Sequence, residues 1–206
     1  MPKSPTKRRP VTVAAVLDAG LHTFLERGFH QASIHDITAA AGLTRGAFYS
    51  NFPTKEALFL AVYDRKTDEM LAEFHQILRN TPSDGDPVPV LLAYAAKGGA
   101  GGDNWFLALA EFTVHAARNA EVRTQFTEHR DRFTAKLSDL ITNVAAATNR
   151  RLDTDVDDLA DVILALHEGT AMLRVSRRPG AGTDALFERM AAVILDALTP
   201  VRDEHR

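Results

Sequence analysis

Apolar residues recur along this chain three and four positions apart, the spacing of one helix face, and no stretch makes a convincing strand. Turn-forming residues cut the pattern into about nine helices. Ala14, Leu17, Leu21, Phe24 and Leu25 set a first helix over 11–27, ended by Gly28, with Phe29 packing back onto it. Ile34, Ile37 and Ala41 set a second over 33–41, opened by the capping box of Ser33 with Asp36 and closed by Gly42. Leu43 plugs the turn, Thr44 caps a third helix over 44–51, and Ala47 and Phe48 face inward. Pro53 stops the chain before a long fourth helix, 54–79, with the stripe Ala57, Leu58, Ala61, Val62, Leu71, Phe74 and Leu78.

Beyond a loop at 80–89 the pattern predicts helices over 90–97 and 104–118, with the glycine-rich connector KGGAGGD at 97–103 between them. The connector lacks the order of a phosphate loop. Asn119 caps a helix reaching 147, marked by Val122, Phe126, Phe133, Leu137, Leu140, Ile141 and Val144. Thr154 with Asp157 opens a helix over 154–176, in which Leu and Ile alternate with the small Ala165, Gly169 and Ala171. After RRPGAG, Thr183 caps a last helix over 183–199, and Pro200 ends it.

The pair over 33–52 draws attention by what it leaves outside. Arg45, Gly46, Tyr49, Ser50 and Asn51 face solvent on a two-turn helix without an acid. Two short helices joined by a tight glycine turn form the helix-turn-helix unit, whose second helix lies in the DNA major groove. The competing reading, a helical ligand-binding or interaction protein with a merely structural hairpin, does not account for that set of side chains.

Residues 14–64 resemble the DNA-binding domain of the TetR-type transcriptional repressors. The words that match are A-G-x-x-x-F-x-x-x-G-F from Ala19 to Phe29, I-x-x-I-x-x-x-A-G from Ile34 to Gly42, and G-x-x-Y-x-x-F-x-x-K-E-x-L from Gly46 to Leu58. The resemblance implies an operator-binding head, a helical body that binds a small-molecule effector, and a homodimer. It carries Tyr49, Asn51 and Lys55 over as DNA contacts, with Asn51 standing where many members have His. The fold expected is therefore all-α: a basic disordered arm (1–10), a three-helix DNA-binding head (11–53) and an effector-binding and dimerisation body (54–206) with 54–79 as its connecting helix. The head's contacts are expected from Ser33, Thr44, Tyr49, Ser50, Asn51 and Lys55 to phosphates and from Arg45 and Gly46 to base edges. The partner chain is expected at helices 154–176 and 183–199, which gives a four-helix bundle and a palindromic operator.

Charge and composition narrow the rest. The net charge of −3 hides nine Lys/Arg against five Asp/Glu in residues 1–66, and fifteen against twenty-two in 67–206. A basic front on an acidic body suits DNA contact by the front alone. Lys7, Arg8 and Arg9 could reach the minor groove beside such a head. Without cysteine there is no disulfide, thiolate zinc site or cysteine nucleophile, which fits a cytoplasmic protein. The basic N-terminus has no apolar run after it, and no 18-residue apolar stretch exists, so neither a secretory signal nor a membrane span is expected. His167-Glu168 lacks the second His of a zinc-protease helix, and no G-x-S-x-G elbow occurs, so no enzyme, metal or cofactor is expected. The candidates for an effector pocket are the aromatics Trp105, Phe106, Phe112, Phe126 and Phe133, with His115 and His167 on or near apolar faces.

Overall fold

The computed structural model describes residues 8–82, 85–97, 102–177 and 185–199, with side chains from residue 12 onward. Among these residues there are nine helices and no strand: α1 (Arg8–Gln31), α2 (Ile34–Ala40), α3 (Arg45–Tyr49), α4 (Lys55–Asn80), α5 (Val88–Ala96), α6 (Gly102–Arg118), α7 (Ala120–Ala147), α8 (Val156–Ser176) and α9 (Leu186–Leu198). The all-α expectation holds. Lys7 of the basic arm, most of the glycine-rich connector and Thr183 lie outside the described residues, while Arg8 and Arg9 fall within the first turn of α1.

Most helix boundaries follow local chemistry the sequence displays. Ser33 accepts the Asp36 amide at 3.1 Å while Asp36 accepts the Ser33 amide at 3.2 Å, the reciprocal box that satisfies two end donors of α2. At the other end Gly42 takes φ 63°, its amide reaches Ala39 O at 3.2 Å, and Leu43 N reaches Thr38 O at 2.9 Å. That is a Schellman closure, which needs a left-handed residue between its two bonds. Thr54 Oγ1 accepts the Ala57 amide and Asn119 Oδ1 accepts those of Glu121 and Val122, so α4 and α7 begin where expected. For α8 the cap is Asp155, not Thr154: its carboxylate accepts from Asp157 N and Asp158 N, and its backbone is extended at ψ 133°. Gly28 does not end α1 outright. It bends the helix at φ 72°, ψ 175°, and three more residues follow.

The helices form two compact units, Met1–Lys66 with Asn104–His129, and Thr67–Asp103 with Arg130–Arg206. Helices α4 and α7 contribute to both. In the first unit Val16, Phe24, Phe29, Ile37, Phe48, Leu58, Phe59, Val62 and Phe112 are all essentially without solvent contact. Packing therefore does not stop at residue 53: Phe112 of α6 stacks on Phe59 of α4 at 4.3 Å between ring centres and meets Phe29 edge-on at 4.9 Å. In the second unit Leu92 and Ala96 of α5 close on Phe187 and Ala191 of α9, flanked by Ile163 and Leu166 of α8. The expected α7 stripe is buried at Val122, Phe126, Phe133, Leu137, Leu140 and Val144. No described helix is long and apolar enough to cross a membrane.

Candidate nucleic-acid interface and apolar cavity

Helices α2 and α3 present a small, uneven surface. Thr44 Oγ1 accepts the Ala47 amide at 3.2 Å and so fixes the start of α3, while its own O–H donates to no group among the described residues. Phe48 is buried and pins the helix to the core, with Tyr49 edge-on to it yet 54% exposed. Arg45 is exposed and has no ion pair or hydrogen bond among the described residues. A Cβ added at Gly46 would meet nothing nearer than Thr44 Oγ1 at 3.8 Å. Gly46 is helical and unhindered, so the fold has no use for a residue that weakens a helix by about 1 kcal/mol relative to alanine. The missing side chain leaves room for another molecule's backbone to approach.

Other expected contact residues are engaged within the protein. The Ser33 hydroxyl donates to Asp36 Oδ2 at 2.6 Å. That hydroxyl, helped by the Ser33 amide and Arg27, holds the Asp36 carboxyl below its ordinary pKa. Ser50 Oγ donates to Ala47 O, and Asn51 Nδ2 donates to Ala47 O and Ser50 Oγ, closing the C-terminus of α3. The Lys55 ammonium donates to Phe29 O at 2.7 Å and Ala32 O at 2.8 Å and sits 4.3 Å from the centre of the Phe29 ring. Burial lowers its pKa, opposed by the carboxylates of Glu56 and Glu111. Lys55 thus closes the end of α1 that Gly28 bends away from helical geometry, and this role was not legible in the sequence.

Glu111 of α6 completes that corner. Its carboxylate accepts the His30 amide at 2.9 Å, and one of its oxygens lies 2.5 Å from where a Cβ on Gly28 would be. Beside it His115 Nε2 stands 3.2 Å from Glu56 Oε1, without hydrogen-bond alignment, its ring against Phe29 and Phe112.

The aromatics expected to line an effector pocket belong mostly to this same core. Trp105 and Phe112 both stack on Phe59, and Phe126 meets Phe112 and Tyr63 edge-on. Phe133 is buried in α7, and Phe106 is half-buried. A cavity of about 100 Å³ lies within the second unit, between α4, α5, α7, α8 and α9. Its wall includes Phe74, Leu92, Leu140, Val144, Ile163 and Phe187, and none of the seven candidates. His167 adjoins it: its Nε2 donates to Ala95 O at 3.1 Å, and its ring meets Phe187 edge-on at 5.3 Å. Ala95 and Phe187 are themselves wall residues. Burial lowers the His167 pKa and keeps the ring neutral. Helical periodicity marks which residues are buried and says nothing of which cluster receives them, so it could not single out this wall.

Residues 16–62 match the model of the family described as bacterial regulatory proteins, tetR family. The HTH-type transcriptional repressor DhaR of Mycobacterium sp. (strain GP1) is 27% identical over 192 residues, 90% of this chain and 91% of that protein. Among solved structures, the fatty acid degradation regulator FadR from Bacillus halodurans superposes with a TM-score of 0.70 at 19% identity, covering 98% of this chain and 100% of that one. A putative TetR-family transcriptional regulator from Rhodococcus sp. does so at 0.73 and 17%, covering 89% and 97%. The matched segment, which holds the helix-turn-helix pair, thus carries the likeness to the tetR family of bacterial regulatory proteins, and the helical body behind it shares the fold of these solved structures.

Proposed function

We propose that this chain is a sequence-specific transcriptional regulator, a repressor that binds a palindromic operator as a homodimer and leaves it when a small apolar molecule binds the second unit. The observation that carries the reading is α3 itself, where an unengaged Arg45 stands beside an open Gly46 and an exposed Tyr49. Arg45 reads a guanine edge, Gly46 admits the DNA backbone, and Thr44 and Tyr49 meet phosphates, while the Ser50 hydroxyl stays with Ala47 O. Ser33, Asn51 and Lys55 act through the shape of the head, since their donors are already engaged. The repressor sense follows the likeness to DhaR.

Two helix faces support the dimer. Along α8, Val162, Ala165, Gly169 and Met172 follow one another at three- and four-residue spacing, and all are exposed. Along α9, Met190, Val193 and Ala197 do the same. Apolar and small residues lined up in solvent are what a helix–helix interface leaves bare in a single protomer. The decisive experiment is fluorescence anisotropy with the chain's own flanking DNA against a scrambled duplex. Arg45→Ala should cost about 1–3 kcal/mol on the operator and little on scrambled DNA. Equal loss on both would remove Arg45 from sequence reading, and no preference for the operator by the wild type would end the proposal.

A further inference from the structure

The geometry points to a neutral, compact hydrocarbon as the occupant of the cavity in the second unit: a single aromatic ring or a short alkyl chain, with no carboxylate or other group that needs a hydrogen bond. This deepens the effector reading above and rests on it. The wall is carbon almost throughout, from Phe74, Leu92, Leu140, Val144, Ile163 and Phe187. Only Arg150 and Thr199 bring polar side chains to it, and both are engaged elsewhere. Arg150 Nη1 donates to Asp196 Oδ1 at 2.9 Å and to Thr199 O at 3.1 Å, and its Nη2 stands 3.8 Å from Asp86 Oδ2. Thr199 Oγ1 donates to Leu195 O at 2.6 Å. An anionic ligand reaching for Arg150 would therefore meet two carboxylates already neutralising it. It would have to displace them and lose its own hydration for no net new charge contact.

Behind the wall His167 is bonded to Ala95 O, its pKa lowered by burial, and Tyr94 packs edge-on to Phe74 with its pKa raised by burial. Water fares no better than an anion, because a buried water needs two to four polar partners and this wall offers none that are free. A cavity of about 100 Å³ with such a wall gives an ordered water no anchor. It is of the order of the apolar voids, about 150 Å³, that bind benzene in engineered cores. Filling it restores dispersion contacts that its lining atoms lack.

The test uses the full-length protein and toluene against benzoate at equal free concentration. Toluene near aqueous saturation should raise the thermal midpoint by about 2–4 °C, benzoate should not, and the amide signals of Ala95 and Val144 should move with toluene alone. Ala145→Leu, which pushes a side chain into the space, should abolish the toluene response, and Ile163→Phe does the same job if the first variant folds poorly. A larger response to benzoate that disappears in Arg150→Met would overturn the inference. So would no response to toluene in the wild type, or a toluene response unchanged by both filling variants. The same titration followed by DNA anisotropy separates the two readings. Toluene that binds without loosening DNA leaves this inference standing and overturns the effector reading.

Discussion

Lys55 shows how one residue type can be right for two jobs. A lysine at the start of α4 beside a DNA-reading pair suits a phosphate, yet its ammonium holds two carbonyls at the bent end of α1. Lys55→Met should therefore act on stability, by about 1.5–3 kcal/mol, the value of hydrogen bonds from a charged donor. Urea melts check this. The salt dependence of DNA affinity should keep its slope, and a slope lower by about one would put Lys55 on a phosphate in the complex. Gly28 sits in the same corner. With φ 72° and the Glu111 carboxylate where a Cβ would go, Gly28→Ala should destabilise by at least 1 kcal/mol and release Glu111 from the His30 amide.

His167 gives a pH dependence whose sign is fixed. Its folded pKa lies below the ordinary 6.5, so above that value both states are neutral and nothing is lost. As pH falls below 6.5 the unfolded ring takes a proton that the folded ring refuses, and stability drops by about 1.4 kcal/mol per pH unit until the folded pKa is reached. His167→Gln keeps a donor for Ala95 O without titrating. Stability measured at pH 7 and 5.5 should fall more in the wild type than in the variant.

At the scale of the element, α3 separates what a helix needs from what it is for. Gly46→Ala has room and helical geometry, so it should raise stability by up to about 1 kcal/mol while weakening operator binding. Unfolding and anisotropy on the same sample decide it, and unchanged affinity would mean that nothing approaches Gly46. Thr44→Val should do the reverse to the fold, since it deletes the side chain that receives the Ala47 amide, a loss of about 1 kcal/mol. These elements were legible in the sequence because caps and periodicity are local: Ser33 with Asp36, Gly42, Thr54 and Asn119 act within a turn of themselves. The α8 cap was missed by one residue because Thr154 and Asp155 are both good caps, and only backbone conformation chooses between them. The corner of Lys55, Glu111 and Gly28 was not legible at all. It joins residues up to 83 positions apart, and no local pattern records such a meeting.

For the whole molecule, the proposed dimer rests on faces that a single chain leaves bare. Val193 is 61% exposed on α9, so Val193→Asp should leave each chain folded yet break the pairing. Light scattering at micromolar concentration should fall from twice the 22.6 kDa chain mass to that mass, with operator affinity lost. A wild-type monomer that holds its operator tightly would sink the paired model. The stacking of Trp105 on Phe59 also decides what light can report. As the chain's single tryptophan, Trp105 makes ultraviolet emission a gauge of the first unit, and it is not among the residues that line the cavity of the second. Emission and circular dichroism followed through one denaturation would then read different parts of the chain, so any gap between the two curves measures how far the DNA-reading unit melts apart from the rest.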